Sequence, residues 1–107
     1  MVGAASPVAV ERSADAAVTV WIEDARGAIA RGRAETLTKQ GVRVRLGEAP
    51  GFGGEEVVAL RICFAPDAPT VATTARVASV RAAGGAVECS LVWMASPSER
   101  AALEAWL

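Results

Sequence analysis

The sequence predicts an all-β fold, a small six-stranded antiparallel β-barrel with one C-terminal α-helix. Short segments in which Val, Ile and Leu alternate with polar residues are separated by turns that contain Gly, Pro or Asp, a pattern typical of antiparallel strands. Helical spacing of apolar residues occurs only at the end of the chain. With 107 residues, the chain is predicted to fold as a single domain. We divide it into a flexible N-terminal segment at 1–16, a barrel at 17–94 and a helix at 97–107.

The first half of the chain predicts three strands. Residues 17–23 alternate Val and Ile with other side chains, which indicates a half-buried strand. Residues 28–37 are the second strand and 41–46 the third, in which Arg43 and Arg45 face outward. A shift of one residue would bury both arginines, so the register of the third strand is well specified.

The second half predicts three more strands around a long loop. The loop at 47–54 is rich in glycine, but no Gly-Lys-Ser/Thr and no helix follow it, so we interpret it as a connection and not as a phosphate-binding loop. Residues 55–64 form the fourth strand. The last two strands, 71–81 and 86–94, form a long hairpin. Short connections between six strands favour a small barrel.

The last part of the sequence predicts a helix whose N-terminus has a clear capping signal. Ser96 is placed as the N-cap, Pro97 as the first helical residue and Glu99 as the residue that reaches back to the cap, which together form a capping box. The apolar residues of the helix share one face: Leu103, Trp106 and Leu107. A helix of this length is not stable alone in water, and it must therefore pack on the barrel or on a partner.

Composition excludes several classes of function. A net charge of −1, from eleven basic and twelve acidic side chains, excludes a general duplex-nucleic-acid or anionic-membrane binder. No apolar run reaches the ~20 residues of a membrane span, and no signal peptide is recognisable, so we expect no membrane insertion and a cytoplasmic location. Cys63 and Cys89 lie in apolar segments, where we expect reduced thiols in the core.

The residue types needed for most catalysis are missing. The chain has no histidine, which excludes Ser-His-Asp and Cys-His nucleophiles and the commonest zinc sites. The neighbouring acids Glu55 and Glu56 would point to opposite faces of a strand and so would not converge on a substrate. We therefore predict a non-enzymatic protein with no catalytic residues, no metal and no cofactor.

The most informative motif lies between the second and third strands. Thr36-Leu37-Thr38-Lys39-Gln40-Gly41 has the spacing T-x-T-x-x-G and leads directly into a strand. Over residues 12–107 the chain resembles the PilZ domain family. The resemblance rests on this motif, on Arg12 before the first strand, on the six strands and on the capped C-terminal helix. The resemblance implies a barrel of split-barrel type. It also implies a role in bacterial cyclic di-GMP signalling, with ligand contacts from an RxxxR motif and a [D/N]xSxxG motif.

The two motifs are incomplete in this chain. Gly41 matches the glycine, where a Cβ would be excluded by the backbone conformation or by the ligand, and Thr38 replaces the serine while keeping its hydroxyl. Thr36 stands where the family has Asp or Asn. Arg12 matches the first arginine, but Ala16 stands in place of the second. Hydrogen bonds to charged groups contribute roughly 1.5–3 kcal/mol each, so these two losses would weaken binding about a hundredfold or more.

Three hypotheses for function remain open. In the first, the chain is a degenerate PilZ-like adaptor that binds cyclic di-GMP weakly or not at all and contacts a protein partner or neighbouring domain. In the second, it is a genuine cyclic di-GMP receptor that uses Arg12, Thr38 and Gly41, supplemented by Arg31 and Arg33 on the strand before the motif. In the third, it is an unrelated small-barrel binding module, such as a structural subdomain or a single-stranded nucleic-acid binder.

The few aromatic residues suggest where a partner could bind. We expect Trp21 and Trp93 to pack the barrel interior and Trp106 to pack the helix. The alternative is that Trp106, Leu107 and the loop containing Phe52 offer apolar contacts to a partner.

Overall fold

The strands form one closed antiparallel barrel in a computed structural model of the chain, which describes residues 12–13 and 18–107, with only the backbone described at 12, 13 and 83. The predicted flexible segment 1–16 lies outside the described residues, except that Arg12–Ser13 is a short strand. The elements are β1 (Arg12–Ser13), β2 (Thr19–Glu23), β3 (Ile29–Leu37), β4 (Gly41–Leu46), β5 (Val57–Cys63), β6 (Val71–Ala83), β7 (Ala86–Trp93) and α1 (Pro97–Glu104).

The order of the strands closes the sheet on itself. Neighbouring strands pair in the order β3, β2, β5, β6, β7 and β4, and β3 pairs again with β4. The two-residue strand β1 pairs with the far end of β3, opposite Leu37 and Thr36. Every pairing is antiparallel. The predicted all-β barrel of six principal strands with one short helix is confirmed.

Alternate residues of each strand fill the barrel. Val20 and Ile22 of β2, Val44 of β4 and Ile62 of β5 are all fully buried. Each such side chain contributes about 1.5–3 kcal/mol on burial, so the alternation of apolar residues accounts for the register. On β4 the intervening arginines, 43 and 45, are exposed, as predicted.

The aromatic residues are placed differently from the prediction at two positions. Trp21 is not in the core: it lies half-buried on the outer face of β2, because the Val and Ile residues on either side of it already point inward. Phe52 is not available to a partner, because the glycine-rich loop folds its side chain into the core. Trp93 is buried as predicted, and Trp106 stacks on Phe64 with ring centroids 5.1 Å apart.

The helix begins as the sequence predicts and ends earlier. The amide of Glu99 donates to the Ser96 hydroxyl over 3.3 Å, and the Ser96 amide donates to the Glu99 carboxylate over 3.1 Å, which completes the capping box. The α-helix ends at Glu104 and not at Leu107. The amides of Trp106 and Leu107 instead donate to carbonyls three residues back, which tightens the last turn.

The prediction that both thiols lie in the core is confirmed for Cys89 and wrong for Cys63, which is only half-buried. Cys63 and Cys89 are both free, and burial raises the pKa of the Cys89 thiol to about 11. In the described part of the chain, no helix has the length and apolar character needed to cross a bilayer.

Candidate functional site

An open pocket lies at the turn that joins β3 to β4. Its volume is about 300 Å³, and Thr36, Thr38 and Gly41 all line it, together with Arg43 and with Ser90 of β7. The three motif residues are close together because a tight turn connects paired strands, with Thr36 opposite Arg43 in the ladder. The structure therefore brings half of the six predicted site residues into one concave surface.

The Thr38 hydroxyl holds the turn together. It accepts hydrogen bonds from the amides of Gln40 over 3.1 Å and Gly41 over 3.2 Å, and it donates to the Gly41 carbonyl over 3.4 Å. The backbone amide of Thr38 donates to the same carbonyl over 2.9 Å. This is the local side-chain to backbone bonding by which Ser and Thr stabilise turns. The hydroxyl is therefore engaged inside the fold.

Gly41 is required by strand packing. Its backbone does not adopt a positive φ, which rules out the predicted conformational reason for glycine. A Cβ at this position would lie 2.9 Å from the Leu91 carbonyl carbon and 3.1 Å from the Val92 Cα, and closer still to the Leu91 oxygen. The neighbouring strand β7 thus excludes a side chain here, with or without a ligand.

The Thr36 hydroxyl is occupied by an arginine that the sequence did not single out. A guanidinium nitrogen of Arg43, Nη2, donates to Thr36 Oγ1 over 3.1 Å, and its Nε lies 3.9 Å from Glu35. A register shift between Ala34 and Thr36 places Glu35 as an extra residue of β3 beside this contact. Arg43 therefore supplies a cation to the pocket at the position where the family motif has an acid or amide.

Two of the three arginines predicted to contact a ligand lie away from this pocket. Arg31 and Arg33 are exposed on the outer face of β3, and neither lines the pocket at the turn. The backbone of Arg12 pairs with Leu37, which places residue 12 beside the turn, while its side chain is not described. Ala16 lies outside the described residues. A ligand-binding role for any of these residues stays a prediction.

The turn is also connected to the C-terminal part of the chain. The indole nitrogen of Trp93 donates to the Thr38 carbonyl over 2.9 Å, and the Trp93 amide donates to the Gln40 carbonyl over 2.9 Å. From α1, the Arg100 guanidinium donates to the Lys39 carbonyl over 3.2 Å. The carbonyl groups of Thr38, Lys39 and Gln40 are therefore held by β7 and by the helix.

A ladder of charges extends from the pocket across the outer surface. Glu35 pairs with Arg45 over 3.3 Å, and Arg81 pairs with Glu88 over 3.0 Å. The hydrogen bond from Arg81 holds the pKa of Glu88 below its ordinary value against the opposing effect of burial, and the charge of Arg43 adds to the lowering. These acids neutralise much of the positive charge beside the pocket.

Among residues 18–107, no three His, Cys, Asp or Glu side chains converge in a way that could hold a metal ion.

Comparison with solved structures identifies the fold. The Bacillus subtilis inhibitor of motility MotI/DgrA superimposes with a TM-score of 0.72 at 19% sequence identity, over 91% of this chain and 46% of that protein. Escherichia coli YcgR, in a structure with cyclic di-GMP bound, superimposes with a TM-score of 0.71 at 15% identity, over 89% of this chain and 41% of that protein. The fold is PilZ-like. This chain spans less than half the length of either protein.

Comparison of sequences gives no further assignment. No family model matches the chain. No curated protein matches it either. The similarity of this chain to PilZ-domain proteins is therefore a similarity of fold.

Proposed function

We propose that this chain is a non-enzymatic, PilZ-like domain of cyclic di-GMP signalling that binds cyclic di-GMP weakly or not at all and acts by contacting another protein or domain. The structural neighbour YcgR, in complex with cyclic di-GMP, and the motility inhibitor MotI/DgrA support the signalling context. The weak binding is supported by one observation above all. The hydroxyls of Thr36 and Thr38 are already hydrogen-bonded within the protein, to Arg43 and to the turn.

The engaged hydroxyls matter because a ligand would have to displace their present partners. Thr38 would exchange hydrogen bonds within the turn for hydrogen bonds to the ligand, with little net gain. Thr36 lacks the second polar atom with which Asp or Asn could make a two-point contact with guanine. Weak binding follows from these exchanges, since a ligand gains only the difference between the new and the old contacts.

A second candidate is the genuine receptor, and Arg43 is the observation that favours it. Its guanidinium lines the same pocket and is fixed by Thr36, so it offers planar donors suited to a phosphate or to the O6 and N7 edge of guanine. Residue 12 is also close to the turn through the pairing of β1 with β3. Under this alternative, Arg43 and Arg12 together replace the missing arginine.

Calorimetric titration with cyclic di-GMP separates the two candidates. We expect no saturable binding by the natural chain in the low micromolar range. The double variant Ala16→Arg, Thr36→Asn restores the missing groups and should bind about a hundredfold more tightly, since each ~1.4 kcal/mol corresponds to tenfold in affinity. Asn is preferred to Asp at position 36 because a carboxylate there would form an ion pair with Arg43 instead of contacting the ligand.

Two controls make the titration decisive. Thr70→Asn, in an exposed connection between β5 and β6, makes the same side-chain change away from the turn and should not alter binding. Arg43→Gln should have little effect if binding is absent, and should abolish binding if the receptor alternative holds. A low micromolar dissociation constant for the natural chain would overturn the weak-binding proposal. A folded double variant that gains no affinity would remove the basis for assigning the domain to this signalling pathway.

A further inference from the structure

The arginines of the barrel divide into a paired and an unpaired group. Most have a hydrogen-bond or ion-pair partner: Arg26 with Asp24, Arg43 and Arg45 with Glu35, Arg76 with Glu55, Arg81 with Glu88, and Arg100 with the Lys39 carbonyl. Arg31, Arg33 and Arg61 make no such contact with any residue that the structure describes. Surface arginines without a partner are unremarkable singly, so their position decides whether they matter.

The three unpaired arginines surround one tryptophan. In the ladder, Trp21 of β2 lies directly opposite Arg31 of β3 on one side and directly opposite Arg61 of β5 on the other. Residues paired in this way point to the same face of the sheet with Cβ atoms about 4.5–5.5 Å apart. Arg33 lies two residues beyond Arg31 and therefore on the same outer face. The half-buried Trp21 is thus flanked by an arginine on each of the two neighbouring strands.

Apolar side chains extend the surface around Trp21. Ile29 is 64% exposed, which is unusual for so large an apolar side chain, and Ala59 and Ala72 lie on the neighbouring strands. A pocket of about 460 Å³ beside Trp21 is lined by these residues and by Arg61. We call the surface formed by Trp21, Ile29, Arg31, Arg33, Ala59 and Arg61 the Trp21 face. It has an apolar centre and a charged rim, the composition of a protein-binding surface.

The charge of the Trp21 face is opposite to that of the whole chain. Three unpaired arginines border it. Among the described residues, Glu23 adjoins it at one end, and Glu35, which already pairs with Arg43 and Arg45, lies beyond Arg33 at the other. The complete chain, by contrast, carries a net charge of −1. The arginines are not engaged with local acids, so a binding partner need not displace an existing ion pair. Trp and Arg are also the residue types that contribute most often to binding energy at protein interfaces.

We propose that the Trp21 face docks an acidic segment of a partner protein. Carboxylates of the partner pair with Arg31, Arg33 and Arg61, and an apolar side chain of the partner packs on Trp21 and Ile29. The proposal rests on the proposed function of this domain as a protein-contacting adaptor, and it specifies the chemistry that the partner presents. Single-stranded nucleic acid fits less well, because it needs several stacking aromatics in a groove, and this face offers one.

A displayed library of random 12-residue peptides tests the proposal without knowledge of the natural partner. Selection on the folded full chain should enrich peptides that carry several Asp or Glu residues around an aromatic or aliphatic residue. The selected peptides are then measured by fluorescence anisotropy against the double variant Arg31→Gln, Arg61→Gln. We expect the affinity to fall about tenfold or more, and to fall steeply with added salt.

The matched control removes the same charge elsewhere. Arg76→Gln, Arg81→Gln lowers the net charge equally but changes arginines that pair with Glu55 and Glu88, so it should retain peptide binding. Trp21→Ala should also weaken binding, and circular dichroism confirms that each variant is folded. A dT12 oligonucleotide is titrated in parallel.

The outcomes either support the proposal or overturn it. Enrichment of acidic peptides that lose affinity with the Arg31/Arg61 variant and not with the Arg76/Arg81 variant supports it. Equal losses of peptide affinity in both variants would show that only net charge matters, which would overturn the proposal. Enrichment of peptides without acidic residues would also overturn it. Tighter binding of dT12 than of any peptide would assign the face to nucleic acid instead. Cyclic di-GMP binding is measured separately, so failure of the proposed function would be visible in the titration and not in the peptide assay.

Discussion

Substitution of Gly41 by alanine tests whether the motif glycine serves the fold or a ligand. Gly41 begins β4 and lies opposite Val92 of β7. The added methyl group would come within 2.9 Å of the Leu91 carbonyl carbon and 3.1 Å of the Val92 Cα. These atoms belong to the backbone and cannot rotate away as a side chain would. The alanine variant can therefore fold only if β4 and β7 separate at this end.

The expected cost follows from the contacts at risk. Overpacking in a well-packed region costs about 1–3 kcal/mol. Separation of the strands also threatens the hydrogen bonds from Trp93 and Thr38 to the turn, each worth about 0.5–1.5 kcal/mol. We expect a loss of about 2–4 kcal/mol in the free energy of unfolding. For a domain of this size that corresponds to a fall in Tm of about 10 °C or more.

Thermal denaturation followed by circular dichroism measures the effect, and Gly47→Ala is the matched control. Gly47 follows the other end of β4, and a Cβ there would meet no atom within 4 Å. We expect Gly47→Ala to leave Tm unchanged or slightly raised, because alanine reduces the entropy of the unfolded chain. Equal Tm values for the two variants would refute the packing explanation of Gly41.

Two further predictions concern other parts of the fold. Ser96→Ala removes the hydroxyl that caps α1 and should cost about 0.5–2 kcal/mol in a urea unfolding titration, whereas an unchanged midpoint would contradict the capping role. For Asp24, burial raises the pKa, but hydrogen bonds from Ala28 and Arg26 outweigh burial and leave the pKa below its ordinary value. Its stabilising contribution is therefore complete above about pH 4 and is lost as the pH falls through the folded-state pKa. Asp24→Asn should make the stability less dependent on pH in this acidic range, and an unaltered pH profile would contradict the assignment.

Most of the barrel could be predicted because strand alternation is a local pattern. On β4, every second residue from Val42 to Leu46 is apolar, and burial of one face leaves a single register. The alternation of Val20 and Ile22 places Trp21 on the outer face of β2, although its size and apolar character favour the interior. Phe52 was misplaced because a glycine-rich sequence indicates a loop but does not say whether the loop folds back on the core. The position of Phe52 depends on contacts between distant parts of the chain, whereas that of Trp21 follows from the local alternation of β2.

The candidate site could be predicted only in part, for a related reason. Thr36, Thr38 and Gly41 are close in sequence, so a turn brings them together whatever the rest of the chain does. Arg43 reaches Thr36 only because β3 and β4 pair in a particular register with Glu35 as an extra residue. Nothing in the local sequence specifies that register shift. The Trp21 face was missed in the same way, since its residues come from three strands.

The two motif residues that this chain retains are also the ones that its fold uses. The Thr38 hydroxyl stabilises the turn by hydrogen bonds, and the absence of a side chain at Gly41 allows the backbone of β7 to pack closely. Loss of either residue would therefore destabilise the barrel even if no ligand ever bound. Of the two groups that are missing, an acid or amide at position 36 is not needed to form the turn, which the Thr38 hydroxyl holds, and position 16 lies outside the described residues. A domain that no longer depends on cyclic di-GMP would be expected to keep the first pair and lose the second. Folding alone would therefore preserve Thr38 and Gly41, so their presence in the motif is not by itself evidence that the chain binds cyclic di-GMP.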